Sequence, residues 1–171
     1  VGTPYSWMET EGFSLYLNTS RTKTQNGSSF SYSKDQVQIQ AHVPFKRDFG
    51  FHINFLSGNI SGNSLGLQHR FHIGGIGSLR GYDWKSMAGN QFLTSTVEIL
   101  FDDVSVFYDR GLTMENSAES LFNSELTIEY NKNAFESVGI SIGDEDACRI
   151  DVIKPLTGDN TDIKINLRLY W

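Results

Sequence analysis

The chain has 171 residues, with 14 basic and 20 acidic side chains and a formal net charge of -6. That size suits one domain. No basic patch of the kind nucleic acid requires stands out, and no run of about 18 apolar residues offers a transmembrane helix. Aromatics at 13% argue against a disordered chain, and the lone Cys148 excludes an internal disulfide.

Hydrophobicity alternates with a period of two from start to end. Phe13, Leu15 and Leu17 share one face of a first strand, and Ser14, Tyr16 and Asn18 share the other. Over residues 36–45 the apolar face is Val37, Ile39, Ala41, Val43 and Phe45. Phe49, Phe51, Ile53 and Phe55 follow, opposed by Gly50, His52 and Asn54. Leu93, Val97, Ile99 and Phe101 oppose Thr94, Thr96 and Glu98. Val104, Val106 and Tyr108 oppose Ser105, Phe107 and Asp109. The pattern recurs at Val138, Ile140 and Ile142, at Cys148, Ile150 and Val152, and at Ile163, Ile165, Leu167, Leu169 and Trp171. About eight half-apolar strands are predicted, an all-β chain forming one domain over residues 1–171. Residues 115–122 suit a short helix, and 122–130 alternate as an extra strand would.

The connections alternate between short and long. Residues 46–48, 102–103 and 144–146 make short links, whereas 19–35, 57–90 and 112–136 are long. An antiparallel up-and-down sheet then carries its short turns at one end and its long loops at the other. Outer-membrane barrels show this asymmetry; a soluble barrel with one decorated rim shows it too. Alternation alone does not say which medium the apolar face meets. Three features favour lipid. Phe45, Phe49, Phe101 and Trp171 gather near the short-turn end, as an interfacial girdle requires. The other face carries Glu98, Asp109, Arg149, Asp151, Lys164 and Arg168, charges that a polar lumen can pair. The last strand ends on an aromatic residue.

The link over residues 57–90 holds Gly74-Gly75-Ile76-Gly77-Ser78-Leu79-Arg80-Gly81-Tyr82. Its glycines permit tight folding and close backbone approach, leaving Arg80 as a long cation near the loop tip. Two strands on lies Phe107-Tyr108-Asp109-Arg110-Gly111. A loop folded back onto the polar face brings Arg80 to Asp109, with Glu98 nearby, and arginine suits a two-point carboxylate contact.

This combination resembles the bacterial surface-antigen family, which includes BamA- and TamA-type outer-membrane assembly factors and two-partner secretion transporters. The matching positions are Gly74, Gly75, Arg80, Gly81 and Tyr82 in the loop, Phe107, Asp109 and Gly111 in the strand motif, and Glu98 between them. Ile165, Leu167, Leu169 and Trp171 resemble a C-terminal assembly signal. The resemblance implies a transmembrane β-barrel of the bacterial outer membrane that is non-enzymatic and serves protein assembly or transport. It also implies a lumenal ion pair latching the loop. It covers most of the chain and corresponds to the C-terminal half of a sixteen-stranded family barrel, with no periplasmic repeat module. The implied partners are the lipid bilayer and the outer-membrane assembly machinery, with no nucleic acid; about eight strands leave open a small closed barrel, a homo-oligomer pooling strands of two or more copies, or a fragment of a larger chain. No cofactor is implied.

Rival readings are a soluble small-ligand barrel with its apolar face inward and an outer-membrane lipid-modifying enzyme. His42 and His52 face each other across the 46–48 turn without an obvious third metal ligand. They read as hydrogen-bonded histidines of the polar face, and His69 and His72 as loop-packing or surface residues. Neither a catalytic residue nor a metal site is expected.

Overall fold

The computed structural model describes residues 12–22, 31–46, 49–63, 67–115, 124–143, 148–159 and 161–169. Strands β1 (Gly12–Thr22), β2 (Ser31–Lys46) and β3 (Phe49–Asn63) come first. A small hairpin follows, β4 (Phe71–Ile73) with β5 (Met87–Gly89). Then come β6 (Gln91–Phe101), β7 (Val104–Met114), helix α1 (Ser124–Asn133), β8 (Phe135–Gly143), β9 (Cys148–Pro155) and β10 (Lys164–Leu169). The eight long strands form one antiparallel sheet in the order β1-β2-β3-β6-β7-β8-β9-β10. Each strand pairs with its chain neighbour, so the fold is all-β and up-and-down. Among the described residues only the β4–β5 hairpin interrupts the sequence of pairings.

Several strands outrun their apolar alternation. β2 begins at Ser31 and β3 continues to Asn63, pairing residues 31–36 with 58–63. The predicted long links are therefore partly strand. Backbone ladders need no apolar side chains; alternation marks only the stretch where one face meets an apolar medium. The alternating segment 122–130 is a larger departure: the described part belongs to α1, not to an extra strand. Glu125 in its first turn and Lys132 in its last suit the helix dipole. The short helix expected at 115–122 lies largely outside the described residues, as do Trp171 and most of the 46–48 and 144–146 turns.

The two faces are distributed inversely to those of a soluble protein. On one face Ile53, Val97, Phe101, Val106, Ile140, Ile142, Ile150, Val152, Ile165, Leu167 and Leu169 are 40–71% exposed. On the other, His52, Thr94, Glu98, Ser105, Asp109, Ser137, Ser141, Arg149 and Asp151 are at most 7% exposed. Charged groups are almost never so buried unless paired. Near the short turns, Phe45, Phe49, Phe51 and Phe101 stack with ring centroids 5.0–5.8 Å apart.

Apolar packing concentrates toward the long-loop end. Ile60 and Phe92, on the polar face of β3 and β6, pack with Phe71, Ile73 and Leu79 of the hairpin segment. The β4–β5 hairpin therefore lies on the polar face. On the apolar face, Leu93 and Leu112 pack with Phe55, Met114 and Tyr130 of α1.

Candidate functional site: an arginine-tipped loop on the polar face

Between β4 and β5 the chain turns back on itself. The Gly75 amide donates to both Leu79 O (3.1 Å) and Tyr82 O (3.0 Å). Gly74 holds φ at 111°, where a side chain would be strained, and a Cβ there would lie 2.4 Å from Asp83 O. Gly81 (φ 90°) is pressed against β8 and β9: a Cβ would come within 2.9 Å of Ile153 Cγ2 and 3.2 Å of Ser137 Cβ. Together these backbone constraints bring Arg80 down onto the sheet.

Arg80 is 6% exposed and Asp109 1%. Arg80 Nε donates to Asp109 Oδ2 at 2.7 Å and Nη2 to Oδ1 at 2.8 Å. The Arg80 backbone amide adds a third bond, to Oδ2 at 3.1 Å. Arg80 Nη1 reaches Glu98 Oε2 at 3.3 Å. The guanidinium carbon lies 3.3 Å from the Phe107 ring centroid, a cation–π stack on the motif's aromatic residue. Ser137 Oγ donates to Arg80 O at 2.5 Å. Tyr82 is anchored as well: its hydroxyl lies 2.7 Å from Glu136 O and accepts the Glu136 N–H at 3.1 Å. Gly111 leaves room for the loop, since a Cβ would stand 3.2 Å from Ile73 Cδ1 and 3.5 Å from Leu79 Cδ1.

Every loop and strand position named from the sequence thus lies in or beside one contact region: Gly74, Gly75, Arg80, Gly81, Tyr82, Glu98, Phe107, Asp109 and Gly111. Ile165, Leu167 and Leu169 are exposed on the apolar face of β10. Trp171 lies outside the described residues. His42 and His52 are register partners on β2 and β3, and His52 is in turn the partner of Glu98 on β6. Among the described residues no cluster of three His, Cys, Asp or Glu side chains is placed to hold a metal.

The ionic network extends further than the motif. Glu98 Oε1 accepts from Ser105 Oγ and from Arg149 Nη2. Arg149 also donates to Ser141 Oγ at 2.8 Å and to Asp151 Oδ1 at 3.2 Å. Asp151 Oδ2 accepts from Arg168 on β10 at 2.6 Å and 3.0 Å. The charges of Arg149, Asp151 and Arg168 were visible as polar-face positions, but their joining to Glu98 was not. Ser105, Ser137 and Ser141 had no sequence signal, because the chain is rich in serine.

Fold and site together define an all-β, up-and-down protein with an inverted face distribution and an arginine-tipped loop bound to its polar face. The family model of the Omp85 superfamily domain matches residues 6–143, and the chain belongs to that superfamily. Comparison with curated proteins gave no match. Superfamily membership carries a relation to outer-membrane assembly and translocation factors. Among the described residues no helix is long and apolar enough to cross a membrane.

Proposed function

We propose that this chain forms the wall of a bacterial outer-membrane β-barrel that serves protein insertion or transport without enzymatic chemistry. The apolar face meets acyl chains, the polar face lines a lumen, and the arginine-tipped loop folds into that lumen. Arg80 acts as the latch, with Asp109 as its main partner and Glu98 as the second. The observation that carries this reading is the inverted face distribution: branched and aromatic side chains 40% exposed or more back onto fully paired buried charges. The arrangement suits hydrocarbon outside and a wet, charged interior, and speaks against a soluble barrel filled by apolar side chains.

Hydrocarbon leaves no backbone group unpaired. β1 and β10 stand at the two ends of the sheet order. Their outer edges close on each other, on strands of a second copy with which the chain forms a homo-oligomer, or on further strands of a longer chain. An eight-stranded closure leaves a lumen that side chains fill, so the loop would plug it. A pooled barrel leaves room for a client chain beside the loop, and we favour it for that reason.

The test is extraction in detergent, a gel run with and without boiling, and the native mass of the complex. A heat-shifted band and a mass of two or more copies are expected. A protein soluble without detergent would overturn the membrane reading, and a monomeric mass the pooled barrel. For the activity, vesicles carrying the protein should speed insertion of an unfolded outer-membrane protein over empty vesicles; equal rates would refute the assembly role.

A further inference from the structure

Six buried or half-buried charges form an alternating chain across the polar face. They run from Asp109 (β7) to Arg80 (loop), Glu98 (β6), Arg149 and Asp151 (β9) and Arg168 (β10). Glu98 divides its two oxygens between Arg80 and Arg149. Asp151 divides its own between Arg149 and Arg168. One end of this chain is a loop tip. The other is β10, whose only strand partner among the described residues is β9, through six register pairs.

We propose that this chain of charges couples the loop to β10 with a negative sign: release of the loop and separation of β10 oppose each other. The physical reason is that Arg80 and Arg168 are like charges at two places on one alternating chain: Arg80 meets Glu98, Arg168 meets Asp151, and Arg149 is divided between those two carboxylates. When β10 leaves β9 it removes Arg168 from Asp151. Asp151 then draws more on Arg149, Glu98 loses part of Arg149, and Arg80 becomes the cation left to satisfy it. The loop is held harder. In the reverse direction, a departing Arg80 frees Glu98 for Arg149, and Asp151 turns more fully to Arg168. Coupling between two sites is reciprocal by thermodynamic necessity. The interior members of the chain are buried, Arg149 at 3% and Asp151 at 0% exposed, so salt screens them weakly. Arg149 and Asp151 are positioning residues in this arrangement, acting on Arg80 only through Glu98.

One contact acts with the other sign. Lys164 of β10 meets Asp83 of the loop at 2.9 Å and joins the two directly. The Asp83 side chain is 87% exposed, so that pair is weak and salt-sensitive. The test is therefore run at raised salt.

The experiment measures hydrogen exchange of the Leu79 and Arg80 amides, in the full chain folded in detergent micelles, for two near-isosteric variants of one ion pair. Arg168→Gln removes a cation from the chain and should slow exchange in the loop. Asp151→Asn removes an anion and should speed it. Each change is expected to be about fivefold, the lower end of ordinary coupling. A purely structural role predicts faster loop exchange in both variants, because both weaken β10. Same-sign changes, or no change in either, overturn the proposal. If Asp151→Asn does not fold, Arg168→Gln decides alone: anything but slower loop exchange than the parent chain refutes the coupling. Leu167→Ala, on the apolar face of the same strand, supplies the control for plain weakening of β10.

Discussion

Arg80 meets Asp109 through two guanidinium nitrogens and its own backbone amide, so one carboxylate binds both the tip of the loop and the chain that carries it. The side-chain bonds position the charge, and the amide bond fixes the loop's height above the sheet. Phe107 beneath the guanidinium and Ser137 on the Arg80 carbonyl close the remaining directions.

Asp109→Asn should release this seat. It leaves a 6% exposed guanidinium with Glu98 as its remaining direct anion. Breaking one partner of a buried pair costs roughly 3–5 kcal/mol. Cleavage by trypsin after Arg80, protected in the parent chain, should become fast, and unchanged cleavage would show that Asp109 does not hold the loop.

Gly81→Ala tests the backbone side of the same contact. The new methyl meets Ile153 at 2.9 Å and occupies a φ of 90°. Overpacking of this kind costs about 1–3 kcal/mol, to which the strained backbone adds. The variant should therefore unfold at lower denaturant than the parent. Gly77→Ala, where a Cβ meets nothing within 4 Å, should leave the midpoint where it was.

Ile140→Lys tests what the exposed apolar face meets. Ile140 is 47% exposed in the middle of that face. If acyl chains cover it, a lysine near mid-bilayer costs roughly 2–4 kcal/mol, read as a lowered unfolding midpoint in vesicles. In water the same exposed change would be nearly neutral.

Tyr130 gives a pH signature for the helix. Burial pushes its phenol above the ordinary tyrosine value of 10.0. The folded chain thus keeps Tyr130 neutral at a pH where the unfolded chain ionises it. The stability this contributes is complete below about pH 10 and lost as pH rises beyond it. Stability should fall as pH rises above about 10 in the parent chain, and fall less in Tyr130→Phe. That variant also loses the contact between the Tyr130 hydroxyl and Ser95 Oγ, so the pH dependence is the readout rather than the absolute stability.

The strands were legible because a sheet between two unlike media imposes period two, and the alternating run from Leu93 to Phe101 lies within β6. The polar outer stretches of β2 and β3 were not legible, since strand pairing there leaves no hydrophobic trace. The segment over 122–130 misled because a short run can alternate without having one apolar face: in a helix, residues two apart lie on nearly opposite sides. Tyr130 and Ile128 are two apart, and Tyr130 packs on β6 and β7 while Ile128 is 49% exposed. At the site, the loop glycines and the polar-face position of Asp109 made a contact with Arg80 possible, and the family resemblance supplied the pairing. The link from Glu98 through Arg149 and Asp151 to Arg168 was hidden, because it joins strands far apart in the chain.

Sequence by itself determined that this chain has two chemically unlike faces, where the apolar stretches of its strands run, and which loop carries the cation. Alternation has no sign: exchanging the medium on the two sides leaves the pattern unchanged. Only the tertiary structure decided that the branched side chains stay unpacked on one surface while the charges bury one another on the other. Burial is a property of neighbours in space, and ion pairs choose partners by distance across the sheet rather than by spacing along the chain.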